Sequence, residues 1–188
     1  MMDKKLFLHI CCAPCSLYPV KKLQEEGFQL TGFFYNPNIH PLKEFKRRKE
    51  TARQWAAKNK KLPMIFDDSY PLEEWLIKAI GAGNERCKNC YLDRMLKVAE
   101  EAKNRGFEMF NTTLLSSTQQ KHEWLKEAGE EAARKIGIQF FYQDWREGWG
   151  WSEVESKKLE IYRQGYCGCV LSERDRYQKA PKEIPKQP

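Results

Sequence analysis

The cysteines of this chain fall into three tight groups: Cys11, Cys12 and Cys15; Cys87 and Cys90; Cys167 and Cys169. Cys12 and Cys15, like Cys87 and Cys90, have two residues between them, a spacing that lets two thiolates reach one centre. At a helix start, Cys87 and Cys90 face the same way, and the positive end of the helix dipole favours their thiolates. Arg94 and Asp93 follow four and three residues after Cys90 on that face. Arg94 can offset the charge of a thiolate-ligated centre, and Asp93 can donate a proton or bind a further metal.

Several chemistries use such thiols. Two Cys-x-x-Cys pairs suit a structural zinc site, but this leaves Cys11 surplus and Cys167-Gly168-Cys169 unexplained. Cys12-Ala13-Pro14-Cys15 after a strand looks like a thioredoxin-type dithiol, which does not need the other cysteines. Simple packing of small hydrophobes does not account for close pairs occurring three times. An iron–sulfur cluster takes four thiolates from the five in the first two groups, leaving one free or available to an additional iron. Cys167 and Cys169, with glycine between them, can close a small strained disulfide, the oxidising and labile kind, suited to a redox relay beside a cluster.

The elements that position these residues alternate. Lys5 to Ile10 reads as a buried strand running straight into Cys11, and a helix follows from about Tyr18 to Gly27. Strands are expected at Gln29–Tyr35, Pro63–Phe66, Met109–Thr112 and Ile138–Tyr142, and helices from Pro41 to about Lys60, Pro71–Ile80, about Cys87–Gly106, Lys121–Lys135 and Ser152–Gly165. Trp145 to Trp151 reads as a loop. This order implies an α/β fold, a doubly wound parallel sheet in one domain over residues 1–178, with a C-terminal helical segment. Lys179 to Pro188 has the composition of a disordered tail. In such folds ligands sit beyond the carboxyl ends of the strands, where Cys11 and Cys12 fall.

The chain has 188 residues, 33 Lys and Arg against 26 Asp and Glu, and a net charge of +7. That balance permits a polyanionic partner without requiring one. Only Leu6 to Ile10 stand between the charged start and the first cysteines, too short for a secretory leader's apolar core, and no run approaches the roughly 18 apolar residues of a membrane helix. The expectation is a cytoplasmic protein without a membrane partner, its thiols kept reduced.

Taken together, Leu8-His9-Ile10-Cys11-Cys12-Ala13-Pro14-Cys15-Ser16, Tyr35-Asn36-Pro37-Asn38-Ile39 with Glu44 and Arg48, and Arg86-Cys87-x-x-Cys90-Tyr91-x-x-Arg94 resemble the QueH-type epoxyqueuosine reductases. So do Thr112-Thr113-Leu114-Leu115-Ser116 and Tyr162-Arg163-Gln164-Gly165-Tyr166-Cys167-Gly168-Cys169-x-x-Ser172. The double cysteine combined with Cys-Gly-Cys is a specific signature; Ser117 and Gly165 depart from the family pattern without touching a ligand position. The resemblance implies reduction of epoxyqueuosine at the tRNA wobble position to queuosine, the epoxide oxygen leaving as water. It also implies a fold like the nucleotide-binding domains of tRNA-thiolating enzymes. It implies a 4Fe–4S cluster on Cys11, Cys12, Cys87 and Cys90, no cobalamin, a redox-active disulfide between Cys167 and Cys169, and an electron donor still to be identified. Cys15 would lie near the cluster.

Epoxide removal consumes two protons, and Asp93, Asp144, Tyr91 and His9 are the donors the sequence offers, with Asp93 best placed. Lys43, Lys46, Arg47, Arg48, Lys49 and Arg53 form a basic run on one helix, followed by Lys58, Lys60 and Lys61. Such a run meets tRNA phosphates or is a solvated helix face. Trp145, Trp149 and Trp151 would stack on an unpaired anticodon base or pack in the core. Two other functions use parts of the pattern. A tRNA-thiolating enzyme needs a phosphate loop after the first strand, where this chain has Cys11 to Cys15. A zinc-stabilised RNA-binding module has no use for Cys167 and Cys169.

Overall fold

The structure, a computed structural model, describes residues 4–178; the tail expected to be disordered lies outside the described residues. Strands β1 (Lys5–His9), β2 (Gln29–Phe34), β3 (Met64–Phe66), β4 (Met109–Thr112) and β5 (Gln139–Phe140) form one sheet in the order β3-β2-β1-β4-β5. Every neighbouring pair is parallel. Leu6, Phe7 and Leu8 of β1 are all fully buried, as a strand covered on both faces requires. The helices are α1 (Ala13–Glu25), α2 (Leu42–Lys58), α3 (Leu72–Gly81), α4 (Arg86–Asn104), α5 (His122–Ile136), α6 (Trp149–Lys158) and α7 (Val170–Tyr177).

The chain winds outward from β1 through β2 and β3, then crosses back to β4 and β5. With right-handed crossovers, α1 and α2 cover one face and α4 and α5 the other. The winding reverses at β1, so the loops after β1 and β4 part and leave a crevice beyond their carboxyl ends. The expected doubly wound fold is therefore the observed one, and no described helix is long and apolar enough to cross a membrane.

Three helix boundaries differ from expectation by several residues. α1 begins at Ala13 rather than near Tyr18, because the Cys12 sulfur caps it by accepting from the Cys15 N–H at 3.4 Å. Pro19 inside α1 cannot donate to the Cys15 carbonyl four residues back, and the Ser116 hydroxyl bonds that carbonyl instead at 2.9 Å. At the other end, α6 starts at Trp149, so Trp149 and Trp151 are helical rather than in a loop. It stops at Lys158, leaving an irregular segment from Leu159 to Cys169 that runs across the crevice.

Candidate metal and redox site

Cys11 and Cys12 leave β1 at the reversal point, and the first turns of α1 bring Cys15 back beside them. The three sulfurs lie within 4.8 Å of one another, all buried. Thr113, just past β4, holds the group: its Oγ1 accepts from the Cys11 N–H at 3.0 Å and donates to the Cys11 sulfur at 3.3 Å. Burial opposes ionisation of Cys11, yet donors from Cys12, Cys15 and Thr113 hold its thiol well below the usual range. Burial raises Cys12, and the bonds Cys15 gives to the other two raise Cys15. The triad therefore carries one thiolate most readily, on Cys11.

These sulfurs line a cavity of about 230 Å³ that also meets Arg94, Trp149, Arg163, Gln164, Cys167 and Arg176. A smaller adjoining cavity of about 30 Å³ is lined by Cys87, Cys90, Cys167 and Cys169. Arg94, Leu114, Gln120 and Cys167 border both. All three cysteine groups thus converge on one region, although Cys87 and Cys90 stand outside the close triad.

Arg94 is the charge at the centre of this region. It is 3% exposed, and one Nη donates to the side-chain oxygens of Asn36 at 3.2 Å and Asn38 at 3.0 Å. Its Nε has no partner, and among the described residues it has no ion pair with a carboxylate. A buried cation without an anion is costly, and the groups around it that can become anions are thiols. Its field favours the thiolates of Cys87, Cys90 and Cys167, although burial still pushes Cys90 up to about 11.

Cys167 and Cys169 sit on a loop clamped by a second buried arginine. Arg48 donates to the Cys167 carbonyl at 3.0 Å and the Tyr166 carbonyl at 3.2 Å, and pairs with Glu44 at 2.6 Å. Tyr162 donates to the other Glu44 oxygen at 2.9 Å, and Tyr166 donates to the His40 carbonyl. Gly168 has φ +131°, and a Cβ there would lie 2.9 Å from Ile39 and 3.2 Å from Arg48, so only glycine fits. All seven cysteines are free thiols. Side-chain contacts with Cys169 and with Ser172, whose Oγ lies 3.0 Å from the Cys167 sulfur, lower Cys167 to about 5, while the contact with Cys167 raises Cys169. The pair is therefore biased toward a thiolate on Cys167 and a thiol on Cys169.

Other expected residues are placed elsewhere or otherwise engaged. Asp93 is 43% exposed on its side chain, pairs with Lys78 at 3.1 Å and lines neither cavity, so the geometry gives its expected catalytic role no support. Asp144 is bound to Arg146 at 2.6 Å, also off both cavities. His9 is fully buried, with Nδ1 at 2.8 Å from the Thr112 hydroxyl and Nε2 at 2.9 Å from the Tyr35 carbonyl; burial and Arg94 lower it to about 4, so it is a neutral core histidine. Tyr91 borders the smaller cavity and donates to Gln120 at 2.8 Å. Trp145 is 2% exposed and bonded to Asn111, a core residue unable to meet a base. Trp149 lines the larger cavity and Trp151 is 40% exposed. The basic run on α2 divides: Lys43, Lys46 and Arg47 are exposed, Lys49 pairs with Asp68, Arg53 with Glu50, and Arg48 is the buried clamp.

Sequence reasoning left several participants without roles. Asn36 and Asn38 anchor Arg94, Cys15 completes the triad, and Gln164 donates to the Cys12 sulfur at 2.9 Å. Each lies in a quoted motif, but spacing gives no partner tens of residues away. The convergent donors suit an iron–sulfur centre: sulfurs at three places around a buried, uncompensated cation whose Nε is orphaned, where an anionic thiolate-ligated group supplies the missing charge.

Comparison with known proteins gives one answer. The family model for epoxyqueuosine reductase QueH matches residues 6–175. The epoxyqueuosine reductase QueH of Dehalococcoides mccartyi is 38% identical over 178 residues, 95% of this chain and 97% of that protein. That of Thermotoga maritima is 36% identical, covering 93% of each chain, and that of Haemophilus influenzae 39%, covering 91% of this chain and 72% of the relative. With cysteines, clamps and fold in agreement with the motifs, the chain belongs to the epoxyqueuosine reductase QueH family.

Proposed function

We infer that this protein removes the epoxide oxygen of epoxyqueuosine at the wobble position of tRNA, using a 4Fe–4S cluster and no cobalamin. The observation that carries this is the convergence of three thiol groups on Arg94, beside a cavity of about 230 Å³. Cys11, Cys12, Cys87 and Cys90 would hold the cluster, and Cys15, third sulfur of the triad, is left for an additional iron. When bound, the cluster supplies electrons singly.

The remaining chemistry falls to the chain. Conversion of the epoxide to an alkene breaks both carbon–oxygen bonds and takes up two electrons and two protons, releasing water. Closing a disulfide from the Cys167 thiolate and the Cys169 thiol gives up two electrons and one proton, so the pair supplies the electrons of one turnover and solvent supplies the second proton. An external reductant, a dithiol or a low-potential electron donor, then reopens it. Cys167 is poised as the thiolate and Cys169 keeps its proton. Arg163, Arg176 and Trp149 on the cavity wall, with exposed Lys43, Lys46 and Arg47 on α2, meet the phosphates and an unpaired base of the anticodon loop.

One observation favours a different centre. The three closest sulfurs are Cys11, Cys12 and Cys15, a set suited to one tetrahedral ion such as zinc with a fourth position open. Anaerobic purification separates the two. Brown protein with about four irons per chain, active on epoxyqueuosine-containing tRNA with a chemical reductant, supports the proposal. Colourless zinc protein that stays inactive after iron and sulfide reconstitution overturns it.

A further inference from the structure

Gln164 lies in the irregular segment between α6 and α7 and reaches back to the triad. Its Nε2 donates to the Cys12 sulfur at 2.9 Å and lies 3.9 Å from the Cys15 sulfur. The other end of the amide is unusual: Oε1 is buried and has no hydrogen-bond partner. An amide that leaves its acceptor unpaired is held by its donor side and by its backbone. The backbone is fixed on both flanks. Arg163 pairs with Glu153 at 2.8 Å, the Gly165 carbonyl accepts from Tyr177 at 3.1 Å, and Arg48 grips the Tyr166 carbonyl. The Cys12 sulfur also accepts the Cys15 N–H as the cap of α1, so it receives two N–H donors, one from its own helix and one from a residue 152 positions away.

We propose that Gln164 is a positioning residue that sets the reduction potential of the metal centre through its N–H···S bond to Cys12. This rests on the proposed function, in which Cys12 is a cluster ligand. Hydrogen bonds to ligand sulfur stabilise the more negatively charged, reduced state. Gln164 therefore raises the midpoint, making the centre easier to reduce by the donor that refills it. Gln164 also lines the cavity of about 230 Å³ and joins its wall to the Cys12 sulfur.

The test compares wild type, Gln164→Leu and Gln164→Glu, each reconstituted anaerobically with iron and sulfide, by EPR-monitored redox titration. Leu removes the donor and Glu replaces it with a negative charge. The midpoints should fall in the order wild type, Leu, Glu. The first step should be about a tenfold change in the reduction equilibrium, or ~59 mV for one electron. A residue that only packs gives no such order; equal midpoints in cluster-replete wild type and both variants overturn the proposal while leaving the proposed function standing. Wild type that assembles no cluster overturns both. Should Gln164→Leu hold no iron, cobalt(II) titration of the metal-free proteins decides. Roughly tenfold weaker binding with a shifted sulfur-to-cobalt band supports the N–H···S bond, and unchanged affinity and band overturn it.

Discussion

Replacing Arg94 with methionine should cost the metal-free protein far less than replacing Arg48, although both side chains are buried, at 3% and 2% exposure. Arg48 has a carboxylate: Glu44, itself 11% exposed, at 2.6 Å. Removing one partner of such a pair strands the other and costs about 3–5 kcal/mol, and the Tyr166 and Cys167 carbonyls lose their donors as well. Arg94 has no carboxylate. Its loss leaves the side-chain oxygens of Asn36 and Asn38 unpaired, about 1–3 kcal/mol each. Against this, removing a buried cation that has no carboxylate partner returns part of its desolvation cost, a few kcal/mol. The two nearly cancel, so Arg94→Met should lie within about 2 kcal/mol of wild type. Urea denaturation of the metal-free proteins, with equal m-values required, reads both numbers. Reconstitution should reverse the ranking of function: the stabilisation that wild type gains on binding its centre should shrink in Arg94→Met, which has lost the countercharge. A metal-free Arg94→Met destabilised as much as Arg48→Met, or one that gains as much stability from the cluster as wild type, would refute the role of Arg94 as a countercharge to thiolates.

Other expectations follow from the same geometry. Cys87→Ala should abolish both the visible absorption of the reconstituted centre and activity; full activity with cluster colour would remove Cys87 from the site. Gly168→Ala forces a Cβ to within 2.9 Å of Ile39 in a left-handed backbone, and should lower stability by about 1–3 kcal/mol while changing the alkylation rate of Cys167; a neutral outcome in both would show that the loop is not clamped. Trp145→Ala should cost about 3–5 kcal/mol as a core truncation, whereas Trp149→Ala should leave the melting temperature near wild type and weaken anticodon stem-loop binding. Affinity for that RNA should fall steeply with salt, and a flat dependence would remove the phosphate contacts assigned to Lys43, Lys46 and Arg47.

The sequence alone carried the order of strands and helices, because buried parallel strands read as short apolar runs and helix ends are marked by glycine and proline. It also carried the cysteine pairs, since Cys-x-x-Cys and Cys-x-Cys are local patterns, and the motifs that identify the family. The tertiary structure decided what depends on partners far along the chain. The first helix, expected from about Tyr18, begins at Ala13 and runs through Pro19, because the hydroxyl that replaces the proline's missing hydrogen bond comes from Ser116. Arg48, read both as one cation of a basic helix and as part of a family motif with Glu44, is buried by the fold against carbonyls 118 and 119 residues away. Three tryptophans read as one loop became a core residue, a cavity wall and an exposed ring, because α6 begins at Trp149. Cys15, surplus by count, joined Cys11 and Cys12 once α1 was capped by the Cys12 sulfur. Local spacing fixes which side chains share a helix face or a strand end; which of them are buried, paired or left as uncompensated charge is set only when distant segments meet at the point where the sheet reverses.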